Sequence, residues 1–400
     1  MSLKILFVAM TDSIHTARWI NQIAGQGWNI HLFPVYSVAP SSELRNVTIY
    51  GLALFRPGNL HSSVRYIGLL PIGTAGNFLE KAVYRFFPQL SAYALSMLVR
   101  IIKPDILHSL EFQHSAYLSL PIMQKERKRS DKPPKWIVTN WGSDVYLFGR
   151  LAEHRERVRQ VLAQCDFYSC ECERDVTLAQ KLGLGGEILP VFPNTGGFDL
   201  QKAERLCQPE PASKRRTVLL KGYQNWAGRA LVGLRALTRC ADILKSGGYL
   251  VAIYSASPEV KIAVELFEQE TGIRTVLIPT STHDEMLRWY GKARLYIGLS
   301  ISDAISTSLL EAIVMGAFPI QSCTACADEW IIDGQSGLIV PPEDVDVIEK
   351  ALRQALTDDA LIDQAAFLNK ETARKRLDAE IIKPKVIDFY KHVCTSKLEN

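Results

Sequence analysis

The sequence predicts an α/β protein built from two doubly wound, Rossmann-like domains. Two uninterrupted apolar runs, Lys4–Val8 (KILFV) and Thr217–Leu220 (TVLL), have the character of strands buried on both faces of a parallel sheet. Each is followed by a loop, a helical pattern and another strand, so each opens a βαβ unit. Between them, residues 200–215 are polar and Pro-containing (QPEPASKRR) and read as a linker. A chain of 400 residues leads to the expectation of two or three domains.

Composition narrows the class. A net charge of +4 on this length neither demands nor excludes an anionic partner, and no feature points to nucleic acid. No apolar run approaches the ~20 residues of a membrane span. The eight cysteines lack a regular framework. Cys323-Thr-Ala-Cys326 has the gap of a metal or redox motif, but no second pair follows it, and small buried side chains are the expected role. Free thiols suit a reducing compartment, so a cytoplasmic location is expected. The N-terminal run is too short for a signal peptide.

In chain order, Lys4–Val8 is a strand, Thr11 to Ser13 offer a helix cap, and the helix runs past His15 and Trp19 to Gly25. Trp28–Val35 is the next strand. The first turn lacks GxGxxG, which argues against a dinucleotide dehydrogenase. Residues 46–54 read as a strand, 55–73 as a Gly- and Pro-rich segment, and 79–102 as a helix mixing aromatics and Leu with Arg85 and Arg100. That mixture suits either packing on the sheet or an interfacial surface. Lys125–Lys135 (KERKRSDKPPK) reads as a solvated basic loop. Trp136–Thr139 and Phe167–Cys170 are further strands.

The second half is organised around residues 296–321. Leu295–Leu299 is a strand, Ser306, Thr307 or Ser308 caps a helix, Gly316 stops it, and Phe318–Ile320 opens another strand. Glu311 is the one charge in an otherwise apolar helix, and a buried carboxylate needs a partner. Protein donors and sugar hydroxyls would both satisfy it. Asp303 lies eight positions earlier, and the backbone amides at Ser306–Ser308 offer an anion site. A phosphate cradle flanked by two hydroxyl-binding carboxylates suits a nucleotide sugar.

Asp303-Ala-Ile-Ser-Thr-Ser-Leu-Leu-Glu311, followed by Gly316-Ala-Phe-Pro319, resembles the Glu-x7-Glu motif of family 4 retaining glycosyltransferases. Asp replaces the first Glu, and Ser306 stands where that family usually has Gly. The resemblance implies the GT-B fold, with two Rossmann-like domains facing each other across a cleft. It implies domain bounds of 1–199 and 216–383, joined by the 200–215 linker, with a helix at 384–400 crossing back to the N-terminal domain. It also implies that Asp303 holds the donor sugar, Glu311 the ribose, and Ser306, Thr307 and Ser308 the diphosphate. Lys221 and Arg229 are similar to the basic pair that neutralises the leaving diphosphate. On the acceptor side it points to His15, His114, Trp141 (where the family commonly has His) and Asp144, with His108 as another source of an imidazole. Helix capping is an equal reading for His15, and a turn cap for Asp144.

The expected activity is transfer of a sugar, with retention, from a nucleoside diphosphate sugar to a saccharide or lipid-linked saccharide acceptor in polysaccharide or glycolipid synthesis. No metal and no cofactor are expected, since in this fold basic groups replace the cation. Peripheral contact with the inner membrane face fits the basic-aromatic N-terminal surface. Two alternatives stay open at this point: a non-catalytic relative that binds nucleotide sugar or a protein partner, and a nucleotide-sugar epimerase of the same fold.

Overall fold

The computed structural model describes residues 2–36, 38–53, 60–70 and 88–396. The chain divides into two compact units: residues 1–196 with 383–400, and residues 197–382. Each is a parallel sheet flanked by helices.

The first sheet contains β1 (Lys4–Ala9), β2 (Asn29–Pro34), β3 (Thr48–Ala53), β4 (Arg65–Leu70), β5 (Ile106–Leu110), β6 (Lys135–Thr139), β7 (Phe167–Ser169) and β8 (Glu187–Ile188). Their order is β4-β3-β2-β1-β5-β6-β7-β8. β1 has only its first residue partly exposed, as its unbroken apolar run requires. β2, β3 and β4 build outward from one side of β1, and β5 begins the other side. The crevice between the carboxyl ends of β1 and β5 is therefore the topological switch point, where ligands of open α/β sheets bind.

The second sheet contains β9 (Thr217–Lys221), β12 (Leu250–Tyr254), β13 (Thr275–Ile278), β14 (Ala293–Gly298), β15 (Phe318–Ser322) and β16 (Leu338–Val340), in the order β13-β12-β9-β14-β15-β16. A small hairpin, β10 (Gln224–Asn225) with β11 (Gly228–Arg229), stands apart from it. Here the switch point falls between β9 and β14.

Several expectations change on contact with the structure. Residues 200–215 are not a free linker. Asp199 caps a helix over Leu200–Leu206, Ser213 is tied to Asp363 through its amide and hydroxyl, and buried Arg215 donates to the carbonyls of Ala293 and Met315. Polar residues there bond inward rather than to solvent, which composition does not reveal. The helical pattern that follows β9 and its loop, ALVGLRALTRCADIL, is two helices, Ala230–Arg239 and Ala241–Ser246, that meet at Cys240. The basic stretch from Lys125 is not a loop at its start, because the helix Tyr117–Arg129 includes it. The last helix begins at Ala379 and continues through Pro384 to Thr395, and its residues from Lys383 onward belong to the first unit. Parts of the 55–73 and 79–102 readings fall on 55–59, 71–73 and 79–87, outside the described residues; the described remainder is β4 and a helix, Pro88–Ile102. Among the described residues no helix is long and apolar enough to cross a membrane.

Candidate functional site

In the second unit the candidates gather at the switch point. Lys221 is the last residue of β9, and the loop 299–306 leaves the neighbouring end of β14. The hairpin tip holds that loop: the Trp226 carbonyl accepts from the amides of Ile301 (2.8 Å) and Ser302 (3.0 Å), and the Ser300 hydroxyl donates to the Ala227 carbonyl (2.9 Å). The Ser300 amide bonds the Ser322 hydroxyl at the end of β15 at 3.0 Å. Three strand ends thus fix one loop.

The helix Thr307–Met315 follows. Ser306 is its N-cap residue and Gly316, at φ 70°, its stop, as the spacing predicts. The Ser306 side chain does not cap the helix, however. Its hydroxyl instead lies 3.4 Å from Lys221 Nζ, so it accepts from the ammonium rather than from the first-turn amides. The first turn carries no acid either. The Leu309 and Leu310 amides bond the Ser306 carbonyl at 2.9 and 3.2 Å, so among the described residues it is the amides of Thr307 and Ser308 that are left to an outside acceptor.

Lys221 is buried, and its Nζ lies 3.5 Å from Asp303 Oδ2. Burial alone pushes the ammonium pKa down, but the Asp303 charge, aided by Tyr296 and Tyr223, outweighs it and leaves the pKa above its ordinary value. Lys221 is therefore a charged group at the floor of the site. Glu311 is buried on the same helix, and its Oε1 lies 3.1 Å from His283 Nε2. Sequence reading did not identify His283, which opens the helix His283–Lys292 behind a Thr282–Glu285 capping box. Its signal is the capping-box pattern, which fixes where the imidazole leaves the helix. Thr307 and Ser308 occupy the first turn, and Ser308 accepts from Tyr254 at 2.7 Å.

Arg229 sits elsewhere in this unit's bonding. It ends the hairpin, pairs with Glu343 and donates to the Asn225 carbonyl. The structure joins Lys221, Asp303 and Ser306 directly but gives Arg229 another carboxylate partner.

In the first unit the four acceptor-side candidates fall in two contact groups, His15–Trp141–Asp144 and His114–Glu111, coupled by charge. The His15 ring meets Trp141 edge-on at 5.7 Å. The Trp141 amide donates to Asp144 Oδ2 at 2.7 Å. Burial, and next the Glu111 charge, push the Asp144 carboxyl well above its usual range. Glu111 in turn accepts from the amides of His114 (2.8 Å) and Ser115 (2.6 Å), and its other oxygen lies 3.4 Å from His114 Nδ1. That bond to Glu111 raises the His114 pKa over the opposing effect of burial. Glu111 holds φ 76°, ψ 162°, a backbone region that side chains rarely adopt, at the end of β5. His108 is a different case. It is wholly buried, with Nδ1 2.8 Å from the Tyr390 hydroxyl and Nε2 2.6 Å from Thr139 Oγ1, so it is a core residue and not a source of imidazole for the site. Cys323 is exposed and Cys326 buried, and the two form no disulfide.

Residues 258–375 match the family described as Glycosyl transferases group 1, a stretch that includes both Asp303 and Glu311. No curated protein sequence matches the chain. Among solved structures it is similar to a sucrose-phosphate synthase from Thermosynechococcus elongatus, at 16% identity and TM-score 0.69, over 98% of this chain and 99% of that one. It is similar also to a glycosyltransferase from Rickettsia africae, at 14% identity and TM-score 0.67, over 99% and 100%. A third likeness is to HepE of Anabaena, solved with UDP-glucose, at 12% identity and TM-score 0.66, over 97% and 99%. These likenesses define the fold, that of GT-B proteins, with two Rossmann-like units.

Proposed function

We propose that the protein transfers a sugar from a nucleoside diphosphate sugar to an acceptor hydroxyl, with retention of anomeric configuration. One observation carries this reading. Lys221, Asp303, Ser306 and the uncapped first turn of Thr307–Met315 converge at the switch point of the second unit, with Glu311 one turn further along the helix. Breaking the glycosyl–phosphate bond places negative charge on the leaving diphosphate. Lys221 and the first-turn amides stabilise that charge, an effect worth about 3 kcal/mol for one preorganised donor. Asp303 holds the sugar and Glu311 the ribose. Arg229 exchanges Glu343 for the diphosphate. These residues form a cationic and amide cradle for the diphosphate without a metal, and the reaction uses no cofactor. The group 1 match through the same helix supports the assignment.

The acceptor is a saccharide or lipid-linked saccharide, bound by His15, His114, Trp141 and Asp144 of the first unit, in polysaccharide or glycolipid synthesis on the cytoplasmic side. Peripheral contact with a lipid surface is supported by the helix Pro88–Ile102. Its outer face exposes Leu90, Tyr93, Met97 and Ile101 at helical spacing, with Arg100 beside them.

A thermal-shift panel of UDP, GDP, ADP and their sugars, with and without EDTA, tests the donor site. A rise in midpoint with one nucleoside diphosphate, unchanged by EDTA, is expected. No rise with any of them overturns the reading. Co-sedimentation with lipid vesicles, stronger with anionic than with zwitterionic ones, is the result expected of the surface helix, and no recovery with either removes the membrane contact.

A further inference from the structure

We propose that Tyr254 and Tyr290 are positioning residues that fix the Ser308 hydroxyl as a hydrogen-bond donor toward the diphosphate of a bound nucleotide. The inference rests on the donor site proposed above and adds two residues to it. Tyr254 ends β12, Tyr290 lies in the helix His283–Lys292, and Ser308 is the second residue of the helix Thr307–Met315. The Tyr290 hydroxyl donates to the Tyr254 hydroxyl at 3.1 Å, and the Tyr254 hydroxyl donates to Ser308 Oγ at 2.7 Å.

Each hydroxyl has a single proton to give. Tyr290 is wholly buried and gives its proton to Tyr254. Tyr254, nearly as buried, therefore gives its own to Ser308. Burial pushes both phenols well above their ordinary pKa, so neither ionises and the direction of the relay holds. Ser308 is left as an acceptor on one side with its own proton to place on the other. A serine deeper in a helix returns that proton to a carbonyl three or four residues back. Here that carbonyl would belong to Ala304 or Ile305, ahead of the first helical residue, and among the described residues Ser308 makes no such bond. Ser308 is partly exposed, and its hydroxyl then adds a donor to those of Lys221 and the first-turn amides for an anion.

Tyr254→Phe keeps the ring and removes the donor. With that proton gone, Ser308 can turn to other partners. The dissociation constant of whichever of UDP, GDP or ADP the wild type binds is expected to rise about three- to tenfold, the worth of one ordinary hydrogen bond, because Ser308 is misaligned rather than removed. The affinity for the matching nucleoside, which has no phosphate, is expected to stay the same. In a Ser308→Ala background, Tyr254→Phe should add less than about twofold, because the pair acts as one unit. Tyr290→Phe should give a smaller change of the same sign, and unfolding midpoints establish that each variant is folded. An equal loss for nucleoside and nucleoside diphosphate, or losses that multiply in the double variant, would overturn the relay while leaving the donor site standing. A wild type that binds none of the three diphosphates overturns the relay and the donor site together.

Discussion

The two units share one scaffold and carry opposite chemistry at the same place in it. In the first, the segments that follow β1, β5 and β6 carry Asp12 and His15, Glu111 and His114, and Trp141 and Asp144. Tyr36 donates to Asp12 there, and burial, with the Asp12 charge, raises its phenol to about 12. In the second, the crevice between β9 and β14 presents a charged lysine, a hydroxyl and the open amides of a helix, with one carboxylate on either side. A carboxylate-rich edge suits neutral polyols, whose hydroxyls it can accept from. A donor-rich edge suits a diphosphate. The fold sets where ligands bind, and the side chains at the strand ends set which ligand each edge can take.

The largest effect expected from this contrast is confined to the first unit. His108 is wholly buried between Tyr390 and Thr139, and burial lowers its pKa to about 3. Between pH 3 and 6.5 the unfolded chain binds a proton there and the folded chain does not, so stability falls as the pH drops below 6.5. The full shift corresponds to about 5 kcal/mol, at 1.36 kcal/mol per pH unit. Hydrogen exchange on acidification should therefore show amides of β1, β5 and β6 losing protection ahead of those in β9 and β14. A His108→Gln variant, neutral at every pH, should lose part of this acid sensitivity. Equal loss in both sheets would remove His108 as the cause.

Next in size is Glu311→Gln, which tests the second unit. The amide keeps the shape and a bond to His283 but loses the charge and the second strong acceptor. We expect at least a tenfold loss of nucleotide affinity, about 1.4 kcal/mol, with an unchanged unfolding midpoint. Calorimetry that finds nucleotide binding intact would remove Glu311 from the ribose and leave its bond to His283 as a purely structural pair.

How much of this contrast was legible in the sequence depends on the range of each interaction. The strands of both sheets were, because a strand buried on both faces must be a continuous apolar run; KILFV and TVLL lie wholly within β1 and β9. The helix stop at Gly316 was also legible, since it adopts a positive φ where few other residues fit. Glu311 was marked by its isolation in an apolar helix, and Asp303 by its spacing from it. The partners were not legible. His283 reaches Glu311, and Lys221 reaches Ser306, only once helices and strand ends distant in sequence are brought together. The same holds for His108. Its strand context is visible, but its burial follows from Trp19, Phe389 and Tyr390, the last 282 positions away. Residues 200–215 misled because polar composition signals solvent only when the polar groups lack protein partners, and Arg215 and Ser213 have them.

The smallest expected effect falls on Arg229. Lys221 is buried and aimed at Asp303, whereas Arg229 is tied to Glu343 and to the Asn225 carbonyl on the rim of the hairpin. A guanidinium already paired must exchange that partner to meet a diphosphate, and the exchange recovers only the difference between two charge-assisted bonds. Arg229→Ala should thus lower kcat by about three- to tenfold while changing the nucleotide dissociation constant less, the pattern of an interaction gained as charge develops on the leaving group. Glu343→Gln, which frees the guanidinium without removing it, should leave kcat equal or higher. If Arg229→Ala turns over normally with normal stability, the cationic character of the second edge reduces to Lys221 and the amides of one helix turn. The contrast between the two units would then rest on a single buried ammonium and the orientation of a backbone.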